Sequence, residues 1–379
     1  MPPPLPPPLH PGTHPAIRLA PRLTDWTLAL CVGIAFATGL AGNLTGRSGG
    51  QWVFVLHGIA GFALVLFVVP KLRRVLPRLL HRSRWDRATA FGLAATVAVL
   101  LVVGTGNAWA GGAVLDLVGF NLLNWHITLG FALVTVVSAH MIARAKPLRR
   151  RDLSGRRQAL RWLGIVGLGA VVWPVQAAGG ASTHRFTGSR PLGMNPDGTP
   201  NTDWPPTSWV ADAPRPLDPA TWRLVVTGHV VTPLALSFDD LAAITAGTAV
   251  MDECAATLDC TGGFATTQQW RGTRVGTLLD HAAVRPGAGW VRFRAVTGYR
   301  WCLPLTEARD ALIATHTVAQ GEAVPLSHGH GGPARLVAPG RRGFQWVKWL
   351  VAVEVLTTPD LAEALAIHTS SFTPTGRGE

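Results

Sequence analysis

Five long apolar segments in the first half of the chain place the strongest constraint on its fold. They lie at about 24–44, 52–70, 88–110, 121–143 and 161–178. Each approaches the ~20 residues that a helix needs to cross ~30 Å of hydrocarbon. We therefore expect an all-α transmembrane bundle of about five helices, in contact with membrane lipid, over residues 21–180. Residues 1–20 are rich in proline, which blocks helix and sheet ladders, so we expect a disordered tail.

The basic residues lie beside these apolar segments. The formal net charge is +13, yet 71–87 alone holds seven Lys or Arg and 144–161 holds eight, whereas loops 45–51 and 111–120 carry one charged residue each. The positive-inside rule then predicts a multi-pass cell-membrane protein whose N-terminus is cytoplasmic and whose residues beyond about 180 are extracytoplasmic. Because the basic clusters flank apolar runs, we expect no nucleic-acid partner.

The start of the fifth segment carries Arg156 and Arg157 ahead of an apolar run. The pair resembles a twin-arginine export signal, which carries folded proteins across a membrane. Ordinary cytoplasmic basic residues explain the same pair equally well, and both interpretations stay open.

Two histidines occupy matching places in the apolar segments. His57 and His126 each lie about five residues from the outer end of their segment, and each is followed by a glycine-containing turn. Polar groups are costly in hydrocarbon unless they are used, so we predict that they are the axial iron ligands of one b-type haem. Hydrogen bonds between helices or to a quinone are the alternatives. His140 lies 14 residues beyond His126, but Lys71 takes that place after His57, so a second haem lacks an evident partner ligand.

Beyond residue 180 the sequence changes to short mixed elements, which predict an α+β domain over 181–379. Residues 182–215 are rich in turn formers and should be irregular. We predict helices after the N-cap Ser237 and over 306–312, a turn leading into a helix over 269–280, and strands over 222–228, 290–296, 334–338 and 346–355.

The stretch Thr257-Leu-Asp-Cys-Thr-Gly-Gly263 places Cys260 after a strand and before two glycines. A soft thiolate at such a site can be a nucleophile or a metal ligand, whereas an isolated cysteine is more often a structural residue. Further blocks follow in order: Trp270-Arg-Gly272, His330-Gly-Gly-Pro-Ala-Arg335 and Gly343-Phe-Gln-Trp-Val-Lys-Trp-Leu350. Together they resemble the molybdopterin domain of the sulfite oxidase superfamily over roughly 182–357.

The resemblance implies a catalytic domain that holds a molybdenum–molybdopterin cofactor, with Cys260 as the catalytic residue and molybdenum ligand. The pterin phosphate needs cations and backbone N–H donors, for which Arg335, Arg341, Arg342 and Lys348 are candidates. The cofactor-binding residues that it implies are His184, Thr187, Gly188, Thr297, His330, Arg335, Trp346, Val347 and Lys348. For the segment His184–Gly188 a plain linker is an equal alternative.

The chain departs from animal and plant sulfite oxidases, whose substrate-side tyrosine follows the last block. The single tyrosine here, Tyr299, precedes that block. The chain is more similar to a bacterial periplasmic branch that includes methionine-sulfoxide reductases partnered with a membrane haem protein. We also expect the immunoglobulin-like C-terminal domain of sulfite oxidases to be missing.

The functional prediction is a membrane-anchored molybdopterin oxidoreductase fused to a cytochrome b-like domain. Electrons pass between a membrane carrier, for which a quinone is a candidate partner, and a small substrate such as a sulfoxide or sulfite. The alternative is a non-catalytic electron-transfer or anchoring protein that keeps the molybdopterin fold.

Two remaining thiols, Cys254 and Cys302, would face an oxidising compartment, and a disulfide between them is a hypothesis.

Overall fold

The computed structural model describes residues 20–118, 120–153, 155–180, 184–206, 212, 214–244 and 251–363. The chain divides into two compact units. The first, called the helical unit, comprises Met1–Ala41 and Trp52–Ser182, and the second, the α+β unit, comprises Gly42–Gln51 and Thr183–Glu379. The proline-rich tail lies outside the described residues, apart from Ala20.

The helical unit is formed by α1 Pro21–Gly42, α2 Gln51–Leu79, α3 Arg87–Ala110, α4 Leu122–Arg144, the short α5 Arg150–Leu153, and α6 Arg156–Gly180. Helices α1, α2, α3, α4 and α6 each contain a stretch that is long and apolar enough to cross a membrane. The prediction of five apolar helices is thus confirmed. A two-residue antiparallel pair, β1 Asp116–Leu117 and β2 Phe120–Asn121, lies in the connection that we expected to be plain loop.

Helix α2 extends nine residues beyond its predicted end at residue 70 and contains Pro70 and Pro77. The prediction was wrong because hydropathy reports the length of an apolar run, not the end of a helix. The extra turns are basic, and they are held by ion pairs: Lys71 Nζ lies 3.3 Å from the Asp25 carboxylate of α1, and Arg74 lies 2.8 Å from it. These contacts stabilise a helix that continues past its apolar part.

Local capping explains where α3 and α4 begin. Asp86 accepts a hydrogen bond from the Thr89 backbone N–H at 2.7 Å, and Asn121 accepts one from that of Asn124 at 2.9 Å. Each therefore satisfies one of the N–H groups that a helix start leaves unpaired. The four helices α1 to α4 share one apolar core, formed by Leu28, Cys31, Val32, Ala63, Leu64, Phe67, Val68, Val99 and Leu133.

The α+β unit contains two sheets. The first has four strands side by side, in the order β11 Glu322–Pro325, β10 Leu312–Ala319, β7 Phe264–Arg274 and β3 Arg190–Pro191. Two further strands join it: β6 Asp252–Asp259 pairs with β7, and β12 Arg335–Val337 pairs with β10. In the second, the order is β5 Leu234–Leu236, β4 Leu224–Gly228, β13 Leu350–Leu356, β8 Trp290–Ala295 and β9 Arg300–Pro304. Among the strands that the structure describes, only the β3–β7 and β4–β13 pairs are parallel. This mixed architecture confirms the α+β prediction.

Three helices complete the unit: α7 Phe238–Ala243, α8 Val275–Ala282 and α9 Leu305–Asp310. The predicted N-cap is confirmed, because the Ser237 side chain accepts from the Asp240 N–H and the Asp240 carboxylate accepts from the Ser237 N–H. The described part of 182–215 is irregular apart from β3, as expected.

Two predicted elements were wrong. Residues 269–274 are the end of strand β7 and not a turn, because β7 lies between β6 and β10 and pairs with both. The strand expected over 346–355 begins only at Leu350. Trp346 and Val347 precede it in a turn that ends with Trp349 in a left-handed conformation, at φ 50°.

Candidate active site

Cys260 lies in the tight turn between β6 and β7. Its N–H donates to the Phe264 carbonyl at 2.8 Å, and the Gly263 N–H donates back to the Cys260 carbonyl at 3.1 Å. The Gly262 N–H points at the Cys260 sulfur at 3.3 Å. This geometry needs glycine, since Gly263 has φ 96°. The strand end thus presents the sulfur from a fixed backbone, beside an N–H group that stabilises a thiolate.

Asp259, the residue before the cysteine, is the centre of a buried network. Its carboxylate accepts hydrogen bonds from the hydroxyls of Thr187 at 2.8 Å and Ser189 at 2.7 Å. The Arg342 guanidinium donates to it at 2.6 Å, and the Arg185 Nε lies 3.2 Å away. Asp259 is 1% exposed. A buried carboxylate needs such partners, and together they join three separate stretches of chain at the cysteine turn.

Arg335 projects from β12 into the core and is 2% exposed. Its guanidinium donates to the His330 carbonyl at 2.8 Å and lies over the rings of Trp270 and Trp346, 5.3 and 5.8 Å from their centroids. Burial lowers the pKa of Arg335 to about 9, and the charge of Cys260 opposes that shift. No acidic side chain forms an ion pair with Arg335 among the described residues.

Lys348 is a second cation, partly buried, whose charge interacts with the same thiol. Its ammonium donates to the Gly329 carbonyl at 2.6 Å and lies 4.5 Å from the Trp349 ring centroid. Burial, followed by repulsion from Arg335, lowers the pKa of Lys348 to about 7, whereas the charges of Asp212 and Cys260 oppose the shift. Lys348 can therefore change its protonation state near neutral pH.

His330 is fixed by an aromatic neighbour that the sequence did not single out. Its ring stacks on Trp204 with 3.7 Å between the centroids, and its Nε2 is 2.9 Å from the Trp204 carbonyl. Burial is the largest cause that lowers the pKa of His330. The hydrogen bond to the Trp204 carbonyl opposes this shift, and the charges of Arg335 and Lys348 add to it. A neutral imidazole is therefore the form that this environment favours.

Thr297 is buried and hydrogen-bonds the carboxylate of Asp212. Burial raises the pKa of Asp212, partly offset by Thr297 and by the charge of Lys348. The hydroxyl of nearby Tyr299 donates to the Phe344 carbonyl at 2.5 Å, and burial raises the pKa of Tyr299 well above its ordinary value. The single tyrosine thus has a backbone partner inside the fold.

The predicted site residues come from five stretches of sequence, and the structure brings several of them together. Arg335, Lys348 and Cys260 interact electrostatically, and Thr187 reaches the cysteine turn through Asp259. His184 accepts from Arg190 at 3.2 Å, and Gly188 has φ 79° in the turn that follows Thr187. Arg341 instead forms a bidentate pair with Glu307.

Sequence reasoning missed Asp259, Ser189 and Trp204. The position of Asp259 next to Cys260, at the end of a strand, was a usable signal. Trp204 lies in an irregular segment and shows its role only through its stacking on His330. The disulfide hypothesis was wrong: Cys254 lies in β6 and Cys302 in β9, which belong to different sheets, and both thiols are free.

In the helical unit, His57 and His126 face each other. Their ring centroids are 5.8 Å apart, and the ring planes are inclined by 76°. The Nδ1 of His57 lies 2.8 Å from the Ala35 carbonyl, and that of His126 lies 2.9 Å from the Val102 carbonyl. Since a carbonyl only accepts, each Nδ1 carries the proton, and each Nε2 keeps its lone pair.

Residues 211–363 match the family model described as "Oxidoreductase molybdopterin binding domain". An uncharacterized oxidoreductase, YuiH, of Bacillus subtilis is 31% identical over 153 residues, which are 39% of this chain and 72% of that protein. Mitochondrial sulfite oxidase of Rattus norvegicus is 30% identical over 37% of this chain and 30% of its own length. The catalytic subunit MsrP of a protein-methionine-sulfoxide reductase from Gluconobacter oxydans is 28% identical over 36% of this chain and 48% of its own length.

The buried polar groups of the α+β unit fit a molybdopterin cofactor. Arg335 Nε, Arg342 Nε and His328 Nδ1 are buried nitrogens without a hydrogen-bond partner. Unsatisfied buried donors are costly, and here two of them belong to guanidinium groups, whose planar fork suits a phosphate. Arg335 and Lys348 are the cations that would hold the pterin phosphate, and Cys260 is the thiolate that would bind the metal. When bound, the cofactor supplies a metal centre for oxidation and reduction.

The chain's own residues then have distinct tasks. The cysteine turn holds the sulfur, and Asp259 ties that turn to Arg342 and to the segment that carries Thr187. The rings of Trp270 and Trp346 surround the Arg335 guanidinium and exclude water from it. The family model, the coverage of the Bacillus subtilis relative and this donor set agree: the chain belongs to the family of molybdenum-dependent oxidoreductases with a molybdopterin-binding domain of the sulfite oxidase type.

Proposed function

We propose that the chain is a membrane-anchored oxidoreductase in which the helical unit carries a b-type haem and exchanges electrons with the molybdenum centre of the α+β unit. A membrane carrier such as a quinone is the other redox partner. The observation that carries this proposal is the facing pair His57 and His126. The pair lies between apolar helices, in the same chain as a molybdopterin-type domain.

The geometry of the pair suits an iron atom. Metal–imidazole bonds of about 2 Å each would put the two Nε2 atoms about 4 Å apart, and the 5.8 Å between ring centroids accommodates this spacing. Metal-binding histidines usually donate their other N–H to a carbonyl, which fixes the ring and its tautomer. Both Nδ1 atoms have such a partner, in Ala35 and Val102.

The substrate class follows from the relatives. The chain spans about a third of the rat sulfite oxidase and about half of the Gluconobacter MsrP that it matches. We propose a small oxo-donor or oxo-acceptor, with sulfoxide reduction favoured over sulfite oxidation. Animal and plant sulfite oxidases have a substrate-side tyrosine after the last sequence block. The only tyrosine of this chain, Tyr299, precedes that block and donates its hydroxyl hydrogen to the Phe344 carbonyl. A haem-binding membrane unit in the same chain as a molybdenum domain can deliver electrons for reduction. The proposed topology has a cytoplasmic N-terminus and an extracytoplasmic α+β unit.

The first test is elemental analysis of the full chain, purified in detergent, together with a reduced-minus-oxidised visible spectrum. We expect about one molybdenum per chain and a b-type spectrum. Molybdenum without haem would remove the helical unit from the electron route. Haem without molybdenum, in a host that makes the cofactor, would contradict catalysis by the α+β unit and favour a pure electron-transfer protein.

The second test is a substrate panel in both directions. Methionine sulfoxide and dimethyl sulfoxide are offered with a reduced dye as electron donor, and sulfite with an oxidised dye as acceptor. We expect turnover of a sulfoxide. Turnover of sulfite alone would reverse the proposed direction, and the absence of turnover with every compound in a molybdenum-loaded preparation would contradict the substrate class.

A further inference from the structure

The helical unit contains one sequence pattern twice. His57-Gly-Ile-Ala-Gly-Phe-Ala-Leu-Val65 in α2 matches His126-Ile-Thr-Leu-Gly-Phe-Ala-Leu-Val134 in α4 at the histidine and at five consecutive later positions. The preceding helices also match, through Thr38-Gly39 in α1 and Thr105-Gly106 in α3. Helices α1 and α2 therefore form one copy of a helical hairpin, and α3 and α4 form the other.

The hydrogen bonds around the histidine in the first copy form a specific set. The Thr38 hydroxyl donates to the Ile34 carbonyl at 2.6 Å and lies 3.1 Å from the Ala35 carbonyl. The same Ala35 carbonyl accepts from His57 Nδ1 at 2.8 Å. A Cβ on Gly39 would lie 3.4 Å from the His57 ring, so glycine lets the ring approach the helix.

The second copy repeats this set at the equivalent positions. The Thr105 hydroxyl donates to the Leu101 carbonyl at 2.8 Å and lies 3.0 Å from the Val102 carbonyl. Val102 also accepts from His126 Nδ1 at 2.9 Å. A Cβ on Gly106 would lie only 2.8 Å from the His126 ring. Apolar packing follows the same equivalence, because the buried residues include the equivalent pairs Val32 and Val99, Val53 and Leu122, and Leu64 and Leu133.

The two copies differ at the other end of the hairpin. Fourteen residues beyond the histidine, the second copy has His140 and the first has Lys71. Opposite His140 lies Gly92 of α3, where a Cβ would come 3.1 Å from the ring. The residue of α1 equivalent to Gly92 is Asp25, which pairs with Lys71 at 3.3 Å. Where the second copy has an imidazole next to a glycine, the first copy thus has an ion pair.

This difference has a chemical consequence. An axial ligand needs a free lone pair, and an ammonium group in an ion pair has none. A carboxylate in the place of glycine also fills the space in which a macrocycle could approach the helix. Asp25 is held further by Arg74, at 2.8 Å. The inner end of the first copy is therefore unsuited to a haem, whereas the outer end keeps one imidazole from each copy.

We propose that the helical unit is a duplicated hairpin in which each copy supplies one axial imidazole to a single haem, and in which the Asp25–Lys71 ion pair replaces a second, inner haem site. The proposal rests on the haem of the proposed function. The two copies run in the same order, so the symmetry axis that relates them lies along the membrane normal and passes between His57 and His126. An iron held between the two imidazoles would lie close to this axis, with a histidine whose Nδ1 donates to a carbonyl on either side.

The test counts haem per chain by the pyridine haemochrome method in detergent-purified protein, with molybdenum measured on the same samples. We expect one haem per chain. His57→Ala and His126→Ala should each abolish the haem spectrum, and His140→Ala should leave it unchanged. Two haems per chain, loss of haem in His140→Ala, or retention in either of the first two variants would overturn the proposal.

Chemical rescue distinguishes haem loss caused by a missing ligand from haem loss caused by misfolding. In His57→Gly and His126→Gly, added imidazole should restore the low-spin spectrum, because each substitution leaves a cavity of imidazole size beside a carbonyl that can accept its N–H. Rescue of neither, in protein that still contains molybdenum, would contradict the ligand role. Two haems per chain with normal molybdenum would overturn this inference alone, and one haem without molybdenum would contradict the proposed function alone. Molybdenum without haem would overturn both.

A second experiment tests the ion pair directly. The double variant Asp25→Gly/Lys71→His gives the first copy the residues of the second and leaves Thr38 and His57 in place. We expect the haem content to rise from one to two per chain, with a second midpoint in a redox titration. A content that stays at one would contradict the role of the ion pair in excluding the inner haem.

Discussion

The two units position their candidate redox ligands in opposite ways. In the helical unit, each of the two histidines proposed as ligands comes from one local pattern that occurs twice, and a hydrogen bond to one backbone carbonyl orients each ring. In the α+β unit, a single cysteine is surrounded by charges from distant parts of the sequence, with Asp259, Arg342 and Arg335 all buried. A repeated apolar hairpin can specify its site locally. A site for an anionic cofactor needs buried cations, which only a folded domain can bring together and stabilise.

The largest effect that separates the two units should come from Cys260→Ser. We expect all turnover to be abolished, with any electron donor, because the metal loses its thiolate while the helical unit is untouched. The measurement is sulfoxide turnover with both a membrane quinol and a reduced soluble dye, together with the haem spectrum. Retained turnover would remove Cys260 from its proposed role.

His57→Ala should affect only one of these two assays. Turnover with the quinol should fall to background, whereas turnover with the soluble dye should stay, because the dye reaches the molybdenum without the haem. His140→Ala is the matched control, since it removes an imidazole from the same unit at a position whose equivalent in the first copy is Lys71. Retained quinol turnover would mean that the haem is not on the electron route, and loss in both assays would contradict direct entry of dye electrons at the molybdenum.

Asp259→Asn tests the charge network of the α+β unit. Loss of the carboxylate leaves Arg342 buried without its counter-ion, which should cost about 3–5 kcal/mol of unfolding free energy and reduce the molybdenum content. Glu253→Gln, in the same strand, is the matched control. It removes an exposed pair with Arg271, worth about 0–1 kcal/mol. Denaturant unfolding of the cofactor-free protein measures both, and equal effects would contradict the network's importance.

The smallest expected effect is a pH dependence of anion binding. Burial lowers the pKa of Lys348 to about 7, so its ammonium is present below that pH and lost above it. Sulfate should therefore raise the melting temperature of the cofactor-free protein more at pH 6 than at pH 8. In Lys348→Arg the charge persists throughout this range, and the pH dependence should flatten. An identical pH profile in both proteins would exclude Lys348 as the titrating group.

Much of the architecture could be predicted because it depends on local patterns. Apolar length identified the five candidate helices, and the capping residue Ser237 marked the start of α7. The prediction failed where pairing partners decide the structure. Residues 269–274 form a strand because β6 and β10 lie on either side, and α2 continues past Pro70 with ion pairs to Asp25.

The sequence by itself determined the two units, the family blocks and the positions of Cys260, His57 and His126, because apolar length, glycine-rich turns and short motifs are local properties. Only the tertiary structure decided which groups surround them. It brought Arg342, Thr187 and Ser189 to the carboxylate of Asp259 and set the two imidazoles 5.8 Å apart. Burial is the physical reason: a buried charge or imidazole must find a partner, and that partner is chosen by packing and not by distance along the chain.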